Sequence, residues 1–549
     1  MIKKPKPQAI TASMVADSPY LYDALVPKEH LLRQVKERVD FSFVHDLVKD
    51  CYSADQGRPA KAPEVIAKVT YLQFEHNLSD REVEESCAQR LDFKFFLDLP
   101  VESGAPCDAT TLCKLRKLWG AAVFQKIFEE SVRQAHEAGV VGTKRIVDSS
   151  KTLMNAAVLK ASQLLARLCE RVLEGLKDVL PGDRLSVLTS EDASLRTDTS
   201  WWLSSELKEK HYLRWGSHAE SLVKFAREFL KSPGECAALG NWEKQREKLE
   251  RATALLEKHL SDAATEAQMK SGGRKDKLVS DVDPDARNQA DHKKRVRAGY
   301  KTHVSMDQES EIITGIAVTP MNAEDGPQLL PLLEDEQERG LEVTEVAADT
   351  AYSDGPIRAG LQGDEETPEI VAYIPEPKPK PSGDGKFTTD QFQYEAERKT
   401  VTCPAGEVSA NGKENKKKNG FNFYFPKATC VACPLREQCL SKGELAAGVK
   451  HGRTVYINPY RELHDLAKRL QKTKQHKQAM NERLAVEHKQ GEMLNRHGLR
   501  HARYRGLSKI KIQAYMTGAV VNLKRLMKLL TQQTREAITR TEGGVCLQT

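Results

Sequence analysis

What the sequence lacks narrows the possibilities first. No run of 18 apolar residues occurs in it, whereas a membrane-spanning helix needs about 20, so no membrane association is expected. The opening MIKKPKPQAI is basic but leads into no apolar stretch, so it does not read as a secretory signal. Aromatic residues are scarce at 6% while charged residues reach 30%, which predicts a polar surface on a water-soluble chain. The 11 cysteines are scattered, with one local cluster. That pattern fits a reducing compartment better than a disulfide framework, and the expected location is cytoplasmic. A charge of one sign is also missing overall, since the net +6 is small for 549 residues; this length predicts roughly two to four domains.

One segment departs from that balance. Residues 467–530 hold 16 Lys and Arg against 3 Glu and no Asp. This local +13 exceeds the +6 of the whole chain, so the remainder is net acidic. A basic segment on a near-neutral body suits a polyanionic partner, or else is a solvated basic helix.

Along the chain, apolar residues recur at helical spacing from Pro63 to about Gly120. Ser79-Asp80 reads as the cap of a second helix there and Asp108 as the cap of a third. The arrangement permits a helix-turn-helix and equally a plain helical bundle. Residues 155–275 are again helical and charged, and read as an insertion. Without them, 144–375 reads β, β, β, α, β, α or loop, β: a mixed α/β sheet that begins with an antiparallel meander. A Pro-rich linker, PEPKPKPSGDGK, precedes short strand-like pieces over 387–460, and the chain is then helical to about Leu530. The expected domains are therefore 1–140 (helical), 141–375 (first part of the core, with the insertion), 376–465 (linker and cysteine cluster), 466–530 (last part of the core) and 531–549 (flexible tail).

Within this frame two apolar runs each deliver an aspartate. KRIVDSSK carries Asp148 to the expected end of a short strand, and EVAADTAYSDG carries Asp349 to a tight turn. A strand-end Asp also caps helices and starts turns, so the pair gains meaning only with a third acid. Taken as one helix, residues 478–506 place Met480, Leu484, Glu487, Gly491 and Leu494 on a single face, so Glu487 interrupts an apolar stripe. A buried carboxylate is costly without a cation or metal partner; the plainer alternative is an ion pair with Arg483 one turn earlier. Glu482 and Glu492 read as solvated. Two strand-end aspartates and a helix-borne glutamate suit Mg²⁺, which prefers hard oxygen ligands, and two such ions serve phosphoryl transfer.

Two further patterns carry chemistry. HGLRHARYRG interleaves Arg500, Arg503 and Arg505 with Tyr504; arginines grip phosphates and tyrosine stacks or hydrogen-bonds. Cys403, Cys430, Cys433 and Cys439 contain a C-x2-C pair and suit a tetrahedral Zn²⁺ site or four free thiols. A Lys-rich loop, GKENKKKNG, lies between them.

Taken in order, IVDSSKTLMNA, GYKTHVSMD with IITGIAVTPMNAEDGPQLLPLL, AADTAYSDG, and RLAVEHKQGEMLNRHGLRHARYRGLSKIKIQAYMTGAVVNLKRL resemble the DDE transposases of bacterial insertion sequences. The resemblance implies a ribonuclease-H-like core of five strands, with the first Asp on strand one, the second after strand four and the Glu on a late helix. By it, Asp148, Asp349 and Glu487 bind two Mg²⁺ or Mn²⁺ ions, and double-stranded DNA is the partner of a homodimer or higher oligomer near the nucleoid. One branch of the family spaces Tyr, Arg, Glu and Lys as Y-x2-R-x3-E-x6-K. Arg483 and Glu487 match it; Met480 and Leu494 stand at the Tyr and Lys positions, with Arg496 two residues further on. DNA contacts are expected from Arg483, His488, Lys489, Arg496, Arg500, Arg503, Tyr504, Arg505, Lys301 and His303. An inactive DNA-binding descendant, another ribonuclease-H-like nuclease and an unrelated metalloenzyme are the competing readings.

Overall fold

The computed structural model describes residues 12–53, 61–180, 182–198, 205–238, 240–263, 277–290, 294–363, 368–377, 386–415, 420–440 and 451–545. Ile146 and Val147 show how its main sheet is organised. Both are fully buried, yet they belong to different cores, because successive side chains of a strand point to opposite faces. They lie on β1 (Lys144–Leu153). The other strands of the sheet are β2 (Arg287–Ala290), β3 (Val296–Asp307), β4 (Ile313–Pro320), β5 (Glu345–Ala348) and β6 (Val371–Tyr373). β3 pairs antiparallel with β1, β2 and β4, while β1, β5 and β6 run parallel.

This is the mixed α/β sheet read from the sequence, with six strands instead of five among the described residues. The added strand, β2, pairs with residues 296–299 of β3, where β4 does not reach. Four residues without an apolar run gave it no sequence signal. β1 is also longer than expected, so Asp148 lies mid-strand rather than at its end.

Two layers of helix cover the sheet. On the Val147 face, Leu329, Leu333, Ile357 and Leu361 pack against Val346 and Ala348. They come from helices Leu329–Glu338 and Gly355–Leu361. On the Ile146 face, N-terminal and C-terminal helices meet. Phe74, Phe124, Phe128, Ile510 and Val520 share one core with Tyr300, Val304 and Ile316 of the sheet. Ser79 forms a full capping box with Glu82, and Asp108 accepts a hydrogen bond from Thr111 N at 2.7 Å, as the sequence predicts. Helical geometry breaks at Gly120 (φ 65°) inside the Ala109–Glu137 run, a backbone setting that glycine adopts at little cost.

The two insertions differ in kind. Helices Ala161–Lys177, Gly182–Thr197, Ser205–Lys231 and Trp242–Ala263 build a core of their own from Leu165, Leu168, Val172, Trp215, Leu222 and Leu256. The chain enters and leaves this bundle at one point, where Leu159 N donates to Val279 O at 3.3 Å. The second insertion holds two three-stranded sheets around Phe392, Phe423, Phe425 and Val455. Part of its Lys-rich loop lies outside the described residues. The expected flexible tail is helical as far as Val545, continuing the helix that starts at Leu507. No described helix is long and apolar enough to cross a membrane.

Candidate active site

The register of β1 against β5 places the two aspartates. Val147 pairs with Ala348 in a parallel ladder, so Asp148 and Asp349, each one residue further on, sit side by side. Asp148 keeps an ordinary strand backbone; its Oδ1 accepts from Ser149 N at 2.7 Å. Asp349 ends β5 and caps a 3₁₀ turn, Thr350–Tyr352, with its side chain accepting from Ala351 N at 2.8 Å. Burial raises the Asp148 carboxyl above its usual range and the nearby Asp349 charge adds to this, while the Ser149 N–H and Arg483 oppose it. A second negative charge beside a half-buried carboxylate is what a cation would relieve.

The glutamate reaches the pair through Arg483. Ala479 and Met480 pack against Ala347 of β5 and Tyr373 of β6, which lays helix Lys474–Glu482 over the parallel half of the sheet. The helix then breaks, and Arg483 joins it to the next one, Leu484–Asn495. Its guanidinium donates to Asp148 Oδ2 at 3.0 Å and to Glu487 Oε1 at 3.2 Å. One cation thus ties Asp148 to Glu487. The expected reason for singling out Glu487 fails, however. The buried face is instead Val486, Lys489, Gln490 and Met493; Leu484 is exposed, and the Glu487 side chain is 53% exposed. Glu492 is not the solvated acid expected either. It meets His497, then Lys489 and Lys524, which hold its carboxyl down at about 2.

The expected DNA contacts divide sharply. Arg483 is mostly buried in the bridge just described. His488, Arg496, Arg500 and Arg505 are exposed. The loop bearing Arg500 and Arg505 is pinned beside the end of β1, where Leu153 N donates to Arg500 O and Ala502 N to Leu153 O. The remaining residues face inward. Lys489 is buried against Glu311 and Glu492. Arg503 donates to Leu78 O and Asn77 and lies over the Phe74 ring, and the Tyr504 ring lies under Arg116 at 4.8 Å. Lys301 donates to Asp325 and to Ala323 O, both at 2.8 Å. His303 is fully buried against Thr319. Cover on both faces of β3 buries Lys301 and His303, and docking of the basic loop turns Arg503 and Tyr504 into the protein, a choice that charge counts alone do not reveal.

Sequence reasoning missed Asp325, which stands below the pair with Lys301 and His303, and Tyr352, three residues beyond Asp349. An acid in the NAEDGP turn, ahead of the Leu329 helix, was the available signal.

The four clustered cysteines line one cavity of about 250 Å³ together with Phe387, Phe425, Leu440 and Arg453. None of the four forms a disulfide; Cys403, Cys430 and Cys439 pack on the aromatic core, and Cys433 Sγ accepts from Leu435 N at 3.4 Å. Among the described residues no three His, Cys, Asp or Glu side chains already stand close enough to hold a metal. The zinc expectation thus gains no support, since packing on the aromatic core sets these thiols.

Two neighbouring strand aspartates and a helix glutamate, linked through Arg483, define a carboxylate site on a mixed α/β sheet. The profile of the transposase domain (DUF772) matches residues 20–118, and that of the transposase DDE domain matches residues 402–527. Both matched profiles are transposase domains, which supports reading the chain as similar to the DDE-type insertion-sequence transposases. The chain is also 30% identical over 123 residues to an uncharacterized protein, ORF8 in the nfe locus of Rhizobium meliloti. That match covers 20% of this chain and 59% of the relative's length. No solved structure is significantly similar.

Proposed function

We propose that the chain cuts DNA at the ends of an insertion sequence and joins those ends to target DNA, on a ribonuclease-H-like core whose acids are Asp148, Asp349 and Glu487. The observation that carries this reading is the parallel register that sets Asp148 beside Asp349, with Arg483 bridging to Glu487. The donor set fits divalent cations. It offers only hard carboxylate oxygens, and the mutual repulsion of the two aspartates favours a cation between them. When bound, Mg²⁺ or Mn²⁺ would make a water more acidic and neutralise charge on the leaving oxygen. Asp148 and Asp349 would hold such ions, and Glu487, exposed and on a mobile-length side chain, would complete the set as Arg483 turns toward a phosphate.

The chemistry is two displacements at phosphorus. Water attacks a phosphodiester at the element end; the P–O3′ bond breaks and a 3′-hydroxyl is freed. That hydroxyl then attacks a target phosphodiester, forming a new P–O bond as a target 3′-oxygen leaves. Exposed Arg500 and Arg505, beside the end of β1, would hold the backbone through its phosphates. Binding of two element ends calls for at least a dimer. An inactive DNA-binding descendant has no need of the acids, and their adjacency argues against it.

The test uses labelled duplex made from the DNA flanking the protein's own reading frame, with Mg²⁺. Nicking and joining should fall at least about 100-fold in Asp349→Ala and Glu487→Ala while binding in a mobility shift persists. Undiminished nicking in either variant would remove that residue from the site.

A further inference from the structure

Tyr352 is 1% exposed, and its buried hydroxyl has no hydrogen-bond partner among the described residues. Such an orphaned group is costly and calls for an explanation. The ring is held in the core by Val147, Leu329 and Ile357, and the residue ends the turn that Asp349 caps, its N–H donating to Asp349 O at 3.2 Å. Three carboxylates surround it electrostatically. Asp325, Asp148 and Asp349, in that order, add to the burial that pushes the phenol far above its ordinary range.

Asp325 is itself fixed. Its Oδ1 lies 2.8 Å from Lys301 Nζ and 3.8 Å from His303 Nδ1. Lys301 and His303 are inward residues of β3; His303 pairs with Ser149, next to Asp148, in the β1 ladder. The next residue, Gly326, packs on the Asp349 turn: a Cβ there would lie 3.0 Å from Ala351 O. The absence of a side chain at 326 therefore lets the Asp325 turn and the Asp349 turn touch.

We propose that Tyr352 and Asp325 are positioning residues of the acidic site. The Tyr352 ring and the Asp325–Lys301 pair clamp the Thr350–Tyr352 turn, so that Asp349 stays beside Asp148. The phenol is the donor kept under the carboxylates, ready to hydrogen-bond to the group once their oxygens are drawn toward cations. This inference rests on the acidic-site reading above. The residues act through Asp349 and do not touch DNA. Removing an outer partner of a cation-holding carboxylate typically weakens cation affinity or activity by about 10- to 100-fold.

The experiment titrates Mn²⁺ into the full-length protein without DNA, reading binding by calorimetry, and measures nicking on the flanking-DNA probe separately. Tyr352→Phe keeps the ring and removes only the hydroxyl; Asp325→Asn keeps shape and removes the charge. Both should weaken Mn²⁺ binding by about 10-fold, slow nicking at limiting Mn²⁺, and recover nicking at high Mn²⁺, with DNA binding unchanged. A purely structural role would lower the melting temperature and leave the Mn²⁺ requirement alone. Wild-type Mn²⁺ binding and nicking in both variants would overturn the inference. Asp349→Ala separates the two levels: if it too binds Mn²⁺ and nicks normally, the acidic-site reading falls; if it loses both while Tyr352→Phe and Asp325→Asn do not, only the positioning role falls.

Discussion

At Asp148, burial and the charge of Asp349 favour the neutral carboxyl in the folded protein. An acid whose folded pKa is raised binds its proton more tightly folded than unfolded, so its ionisation costs stability as pH rises above the ordinary aspartate range near ~4. Asp148→Asn should therefore melt higher than wild type at pH 7 without divalent cation, and the gap should close as the pH approaches ~4. Thermal melts at the two pH values check this; an equal gap at both would mean that Asp148 carries no such strain. Saturating Mn²⁺ should stabilise the wild type and narrow the gap, because a ligand that binds only the folded form raises its stability. The residue scale also corrects the argument for Glu487. The sequence pointed to it as a carboxylate trapped in an apolar stripe, whereas it is exposed and tied to Asp148 only through Arg483. That link through Arg483, not burial in an apolar stripe, is what places Glu487 in the proposed site.

The basic loop shows what an element adds to composition. HGLRHARYRG has arginines at 500, 503 and 505, but docking on β1 and on the helices at 63–89 turns Arg503 inward and leaves Arg500 and Arg505 outward. These classes should separate experimentally. Replacing both Arg500 and Arg505 by Ala should weaken DNA binding and lower the slope of log affinity against log salt by about 2, close to 0.9 per phosphate lost, with little change in melting. Arg503→Ala should instead lower stability by about 2 kcal/mol, as expected for loss of buried hydrogen bonds to a charged group, and leave the salt slope intact. Filter binding over a salt series and thermal melts distinguish them. A change of salt slope in Arg503→Ala would reverse the assignment.

For the whole molecule, the decisive fact is that the N-terminal helices, the sheet and the C-terminal helix share one core. Phe74 and Leu112 lie in the same cluster as Val304 and Val520, so the segment matched by DUF772 and the segment matched by the DDE domain are physically joined. The helical insertion has its own core, and its ends meet at the Leu159–Val279 hydrogen bond. Replacing residues 160–278 with a short Gly-Ser linker should leave a soluble protein that melts cooperatively within a few degrees of wild type. Removing residues 1–138 should give insoluble protein, since it strips one face of the sheet of its apolar cover. Expression of the two deletions, followed by scanning calorimetry, checks both; a folded product of the second would show that the shared core is dispensable.

The sequence by itself determined the local elements and their order. The capped helices at Ser79 and Asp108, the strand pattern of the sheet and the helical insertion were legible because periodicity and capping are local properties of the chain. Asp148 and Asp349 stood out because apolar runs end in them. Only the tertiary structure decided which polar groups face each other. The β1–β5 register, the helix break at Arg483 and the inward turn of Lys301, His303, Lys489, Arg503 and Tyr504 depend on contacts between segments far apart in sequence. Residue type fixes how a side chain interacts, but its neighbours across the fold fix with what, and that pairing is absent from any single stretch of sequence.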